Sequence, residues 1–156
     1  MSARSRSNER DVVIDDHLLL CLLLDNEPRE LRPYGGRVFT TGLWYHRLCR
    51  ALADTSVTGA MSRSLGDVES RVAAGAVTAF TALPDGIGLT SLRTLAWPMA
   101  QLLASGVRLN LMSLEALAAA QHLDAELCLA VADTNSPLLA AAELQGVPVR
   151  LLTDGN

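Results

Sequence analysis

Asp11-Val12-Val13-Ile14-Asp15-Asp16-His17 runs three β-branched aliphatics into paired carboxylates, and the apolar run Leu18 to Leu24 follows at once. The aliphatic triplet reads as a buried strand, and the leucine-rich segment as a helix of about Asp16 to Leu24 that starts where the strand ends. In open parallel α/β sheets the ligand crevice lies outside the carboxyl ends of the strands. Asp15 and Asp16 are therefore expected at that crevice. Two later acids, Glu115 and Asp133, are expected at the same edge.

Working outward, Asp25 to Gly36 is rich in charge, Pro and Gly and reads as a loop. Arg37-Val38-Phe39-Thr40 is β-prone, and Thr41 can cap a helix over Leu43 to Ala53 whose apolar residues recur at helical spacing. A helix is expected from about Ser64 to Leu83, broken by Pro84-Asp85-Gly86-Ile87-Gly88, and another over Ser91 to Ser105, bent at Pro98 and closed by Gly106. Val107 to Leu111 reads as a strand, with an alanine-rich helix opening at Ser113. Glu126 to Val131 reads as a strand ending near Asp133. Ser136 is read as the cap of a helix Pro137 to Leu144, and Val147 to Leu152 as the last strand. Strands alternating with helices imply right-handed crossovers. The fold expected is a three-layer α/β/α sandwich around a mostly parallel sheet of four or five strands.

With 156 residues this is expected to be one domain, residues 11–153, behind a flexible tail of residues 1–10. Hydrophobic residues make up 49% and aromatics 4%, so Leu, Ala and Val must fill the core. A net charge of −4 argues against a general nucleic-acid coat protein. All 13 basic residues are Arg, which suits bidentate phosphate contacts but reads more simply as codon bias. Cys21, Cys49 and Cys128 are widely spaced, with no C-x-x-C pair, and read as reduced thiols of a cytoplasmic protein. Leu18 to Leu24 is far shorter than the roughly 20 residues needed to span a bilayer. The leader lacks the apolar region of a secretory signal. No glycine-rich phosphate loop follows a strand, and Gly86-Ile87-Gly88 lacks the third glycine of a dinucleotide fingerprint.

Several segments share an order and spacing with one family. They are the hydrophobic strand into Asp15, Glu115 opening Ala116 to Ala120, and Leu129-Ala130-Val131-Ala132-Asp133. Leu138 to Ala142 and Gly146-Val147-Pro148-Val149 follow. In this the chain resembles a PIN domain, the fold of VapC-type toxin ribonucleases and related metal-dependent nucleases. The likeness is continuous over Glu115 to Leu152 and short around Asp15. It implies Asp15, Glu115 and Asp133 as catalytic metal ligands for Mg²⁺ or Mn²⁺. Asn135 is a further polar ligand, with the register between Asp133 and Asn135 left open, and Asp16 is a secondary polar group. It also implies RNA as substrate, with Arg47 and Arg93 as candidate contacts, and a small antitoxin protein as partner. A homodimer through the helices bearing Trp44 and Trp97 is a further expectation.

One position departs from the family pattern. Where a second acid is expected, the sequence is Thr41-Gly42-Leu43-Trp44-Tyr45-His46-Arg47. An Arg there competes electrostatically with a cation, and His is a poor ligand for a hard one. The departure keeps open a rival reading, a catalytically degenerate PIN-like domain that binds RNA or a protein. A third reading is a small-molecule-binding α/β domain. Taken singly, each acid also has an ordinary use. Asp15 can cap a helix, Glu115 is a first-turn dipole partner, and Asp133 to Pro137 makes a routine strand-to-helix turn.

Overall fold

The strand Val12–Ile14 (β1) lies at the centre of a five-stranded sheet, flanked on both sides and buried at all three residues. In the computed structural model residues 9–53 and 81–153 are described, with Asp133 described by its backbone alone. The other strands are β2 (Val38–Thr40), β3 (Ile87–Leu89), β4 (Glu126–Ala130) and β5 (Val149–Leu152), in the order β3-β2-β1-β4-β5. Every pairing is parallel, and Ile14 stands level with Thr40 on one side and Cys128 on the other. The chain builds outward from β1 through β2 to β3, then returns to place β4 and β5 on the opposite side. The winding therefore reverses between β1 and β4, which is where ligands bind in such sheets.

The α-helices among the described residues are α1 (Asp16–Leu23), α2 (Gly42–Ala53), α3 (Leu92–Ala104), α4 (Leu111–His122) and α5 (Ser136–Leu144). Alternation along the strands divides the core in two. Val13, Leu127 and Leu129 face Leu95 and Met99 of α3, Leu114 and Leu117 of α4, and Leu138 of α5. Val12, Ile14, Cys128 and Ala130 face Leu18 and Leu19 of α1 and Leu48 of α2. Each fully buried leucine contributes about 2 kcal/mol of transfer free energy. In α4, Ala116, Ala118, Ala119 and Ala120 are all buried, and their small size lets this helix sit close against the sheet and between its neighbours. The result is a three-layer α/β/α sandwich with an all-parallel sheet, as expected.

Three local expectations are corrected. Val107–Asn110 is no strand: Val107 and Leu109 are half-buried against the first core, and Asn110 caps α4 at Leu111 by accepting the Ser113 N–H at 2.9 Å. The segment read as a break at Gly86 to Gly88 supplies β3 instead. Gly88 is needed there because a Cβ would lie 2.3 Å from Cδ1 of Phe39 on the neighbouring strand. The cap of α5 is Asn135, which accepts the Leu138 N–H, and not Ser136. Asp15 caps α1 and Asp16 is its first helical residue, as read. Thr41 caps α2 as read, its Oγ1 accepting from the Trp44 N–H. The helix expected over Ser64 to Leu83 falls mostly outside the described residues, as does most of the tail of residues 1–10. Among the described residues no helix is long and apolar enough to cross a membrane.

Candidate functional site

Asp15 leaves β1 at the point where the winding reverses. Its N–H donates to the Cys128 carbonyl, continuing the ladder by one rung. Its Oδ1 accepts the Leu18 N–H at 2.9 Å, capping α1, and its Oδ2 accepts the Ala130 N–H at 2.8 Å, at the end of β4. One carboxylate thus ties together the central strand, its helix and the strand across the switch point. Asp15 is only 3% exposed. Burial pushes its pKa above the ordinary carboxylate value, and the two backbone N–H groups partly oppose that rise.

A cleft of about 380 Å³ opens beside it, with Asp15, Arg47, Asn110, Ser113 and Asn135 among its walls. Asn135 donates from Nδ2 to the Ser113 Oγ at 2.7 Å, which locks the start of α5 to the first turn of α4. Asp16 is held by Arg47, whose Nε and Nη2 reach the two carboxylate oxygens at 2.5 Å each. This is the fork-to-fork geometry of a strong charge-assisted pair. Arg47 lines the cleft and Asp16 does not.

Glu115 is 1% exposed and lies against the start of α2. Its Oε2 accepts the Leu43 N–H at 3.0 Å, and its Oε1 is 3.6 Å from where a Gly42 Cβ would be. It serves as a dipole partner, but for α2 and not for its own helix. It is not part of the cleft wall. Asp133 closes a 3-10 turn, Val131–Asp133, that follows β4. Arg93 lies in the first turn of α3, outside the cleft wall. The structure thus brings Asp15, Arg47 and Asn135 to one cleft, with Asp16 behind Arg47 and Glu115 behind α2.

Two residues that sequence reading passed over, Asn110 and Ser113, form the floor between α4 and α5. The signal for Asn110 was a capping residue immediately before a helical run. It was hidden by the alternating Val107-Arg108-Leu109 pattern, which mimics a strand.

A larger hollow of about 730 Å³ opens at the opposite edge, beside Asp11, Glu126 and Arg150. Three of its charged residues are engaged structurally, Asp11 with Arg37 and Glu126 with Arg150 at 2.8 Å each. The amino ends of the strands face it, so the switch-point cleft is the better functional candidate. No disulfide joins Cys21, Cys49 and Cys128. Burial pushes the Cys128 thiol up to about 12, leaving it no nucleophile at neutral pH.

The donor chemistry at Asp15 suits a hard divalent cation. Each oxygen accepts one N–H and keeps acceptor capacity, and no arginine is paired with this buried carboxylate among the described residues. Among the described side chains no three His, Cys, Asp or Glu residues converge on one point, and the Asp133 carboxylate is not one of those side chains.

No protein-family model and no curated protein matches the sequence. Among solved structures, the chain is similar to VapBC-1 from nontypeable Haemophilus influenzae, with a TM-score of 0.50 and 12% identity over 90% of this chain and 96% of that one. At that identity the likeness is one of fold. The five-stranded parallel α/β sandwich is the fold the two share.

Proposed function

We propose that this chain is a metal-dependent ribonuclease of the PIN-like kind, the toxin of a toxin–antitoxin pair. The observation that carries the reading is Asp15: a buried, desolvated carboxylate at the switch point, beside a cleft, with no arginine paired to it among the described residues. A buried anion in that position favours a cation as partner. The fold likeness to VapBC-1 supports the class of activity and an antitoxin as partner.

In this reading Asp15 would hold Mg²⁺ or Mn²⁺ with Asp133 and Asn135 as further donors and Asp16 as a secondary group, and Glu115 would have to leave the Leu43 N–H to join them. The bound ion supplies charge neutralisation at the phosphate and a more acidic water. Asn135 is already oriented by Ser113, so it meets a ligand without reorganising. Arg47 and Arg93 contact the RNA backbone.

The test is Mn²⁺ calorimetry and RNA cleavage on wild type and Asp15→Asn. Wild type should bind the ion and cut RNA, and the variant should lose both. Wild type that neither binds Mn²⁺ nor cuts removes the nuclease reading.

A second reading, a degenerate PIN-like module that binds RNA or protein without cutting, is favoured by one specific contact. Arg47 brings positive charge to the cleft wall and already neutralises Asp16. RNA binding without turnover at saturating Mn²⁺ would select this reading.

We also propose a second copy of the chain as a partner. Leu92, Trp97 and Leu103 stand exposed on α3, where Arg93 is the sole charged residue.

A further inference from the structure

A second depression of about 310 Å³ adjoins the switch-point cleft. The two share Asn110, Ser113, Asn135 and Pro137, so they form one groove across the amino ends of α4 and α5. Arg47 lines one end and Arg108 the other.

The two arginines are held differently. Arg108 donates from Nη1 to the carbonyls of Leu103 and Val107, at 3.1 and 3.0 Å, which fixes its head without neutralising it. Among the described residues no carboxylate pairs with it. Arg47 grips Asp16 with the same two-pronged face that a guanidinium offers a phosphate. Its side chain remains 39% exposed, whereas that of Asp16 is 16% exposed. If Arg47 turned to a phosphate, Asp16 would not be stranded. It sits in the first turn of α1, where the helix dipole stabilises an anion.

Between the two ends the wall mixes polar residues such as Asn110, Ser113 and Asn135 with apolar ones such as Met112, Leu109 and Pro137. Asp15 is the one acid on the described groove wall, and each of its two oxygens accepts a backbone N–H.

We infer that this groove seats the sugar–phosphate backbone of single-stranded RNA at two points, Arg47 and Arg108, and that Asp16 is an internal competitor for Arg47. The inference rests on RNA being what the cleft receives, but not on RNA being cut there. Holding a backbone at two arginines requires no divalent ion. Binding should therefore persist in EDTA, and the Asp16 pair should keep it weak at rest.

The experiment measures binding of a short fluorescein-labelled oligouridylate in EDTA across a salt series. Arg108→Ala and Arg47→Ala should each flatten the slope of log K against log salt by about 0.7, the value of one single-strand phosphate contact. Asp16→Asn should tighten binding by roughly twofold to fivefold, the worth of a partly exposed ion pair. Adding Asp16→Asn to Arg47→Ala should bring no further gain, because the competitor then has nothing to compete for. Arg29→Ala, in the loop before β2 at the opposite sheet edge, should match wild type.

An unchanged slope in Arg108→Ala, an Asp16→Asn variant no tighter than wild type, or an equal loss in Arg29→Ala overturns the inference. So does absence of binding in every variant. Mn²⁺-dependent cleavage by the same preparation would then leave the nuclease proposal standing. Conversely, the expected shifts without cleavage keep the groove and remove the nuclease.

Discussion

Asp15 serves as helix cap and interstrand clamp, and it is the first choice for a ligand. Both of its oxygens are needed, so substitution by Ala and by Asn should behave differently. Asp15→Ala leaves the N–H groups of Leu18 and Ala130 without their acceptor and should destabilise the fold by about 3 kcal/mol in denaturant unfolding. Asp15→Asn keeps one acceptor oxygen and removes the charge.

The pH dependence has a definite sign. The pKa of Asp15 is raised in the folded state from 3.8, so the folded chain holds its proton more tightly than the unfolded one. The resulting stability is complete below the unfolded value and is lost as pH rises through the folded pKa. In EDTA, wild type should lose stability relative to Asp15→Asn as pH rises from about 4 toward neutrality. Mn²⁺ added at neutral pH should then restore the wild type alone. A difference that stays flat across that window would contradict the burial of this charge. Asp11 works the other way, since Arg37 beside it holds its carboxyl below the ordinary value and its stabilisation fades as pH falls.

Among the elements, β3 carries the sharpest test. Ile87–Leu89 extends the sheet beyond β2, and Gly88 lets the Phe39 ring lie across it. Gly88→Ala would place a methyl group 2.3 Å from Cδ1 of that ring, so the ring or the strand must shift. The expected cost is about 1–3 kcal/mol, read as a lowered unfolding midpoint. A neutral Gly88→Ala would mean that the ring moves freely. Elements were most legible where capping and periodicity agreed, as in α2 behind Thr41. They were least legible where a short alternating run had no partner strand. Val107 to Leu109 has the pattern of a strand but no partner strand, so its side chains pack against the first core while the Val107 N–H bonds back to the Leu102 carbonyl.

At the scale of the whole molecule, α3 presents exposed apolar side chains on its outer side. Leu95, Met99 and Leu102 turn inward, while Trp97 is 72% exposed. Exposed apolar surface of this kind is normally covered in an assembly. Sedimentation should show a dimer for wild type and a monomer for Trp97→Glu, with the unfolding midpoint otherwise kept. Two monomers would refute the proposed second copy. Trp44, by contrast, is buried against the sheet and belongs to the core.

The sequence by itself determined the layer architecture and the place of Asp15. A β-branched run followed at once by a leucine-rich helix leaves one buried geometry open, and the acid between them must stand at the strand end. The later strand–helix alternation then requires parallel crossovers. Tertiary structure alone decided the strand order, the use of Ile87–Leu89 as β3, and the partners of each acid. Arg47 reaches Asp16 across 31 residues, Glu115 reaches Leu43 across 72, and Asp15 reaches Ala130 across 115. Periodicity and capping describe neighbours within a few residues along the chain. Which carboxylate meets which N–H or guanidinium depends on how the layers close, and that is set by long-range packing.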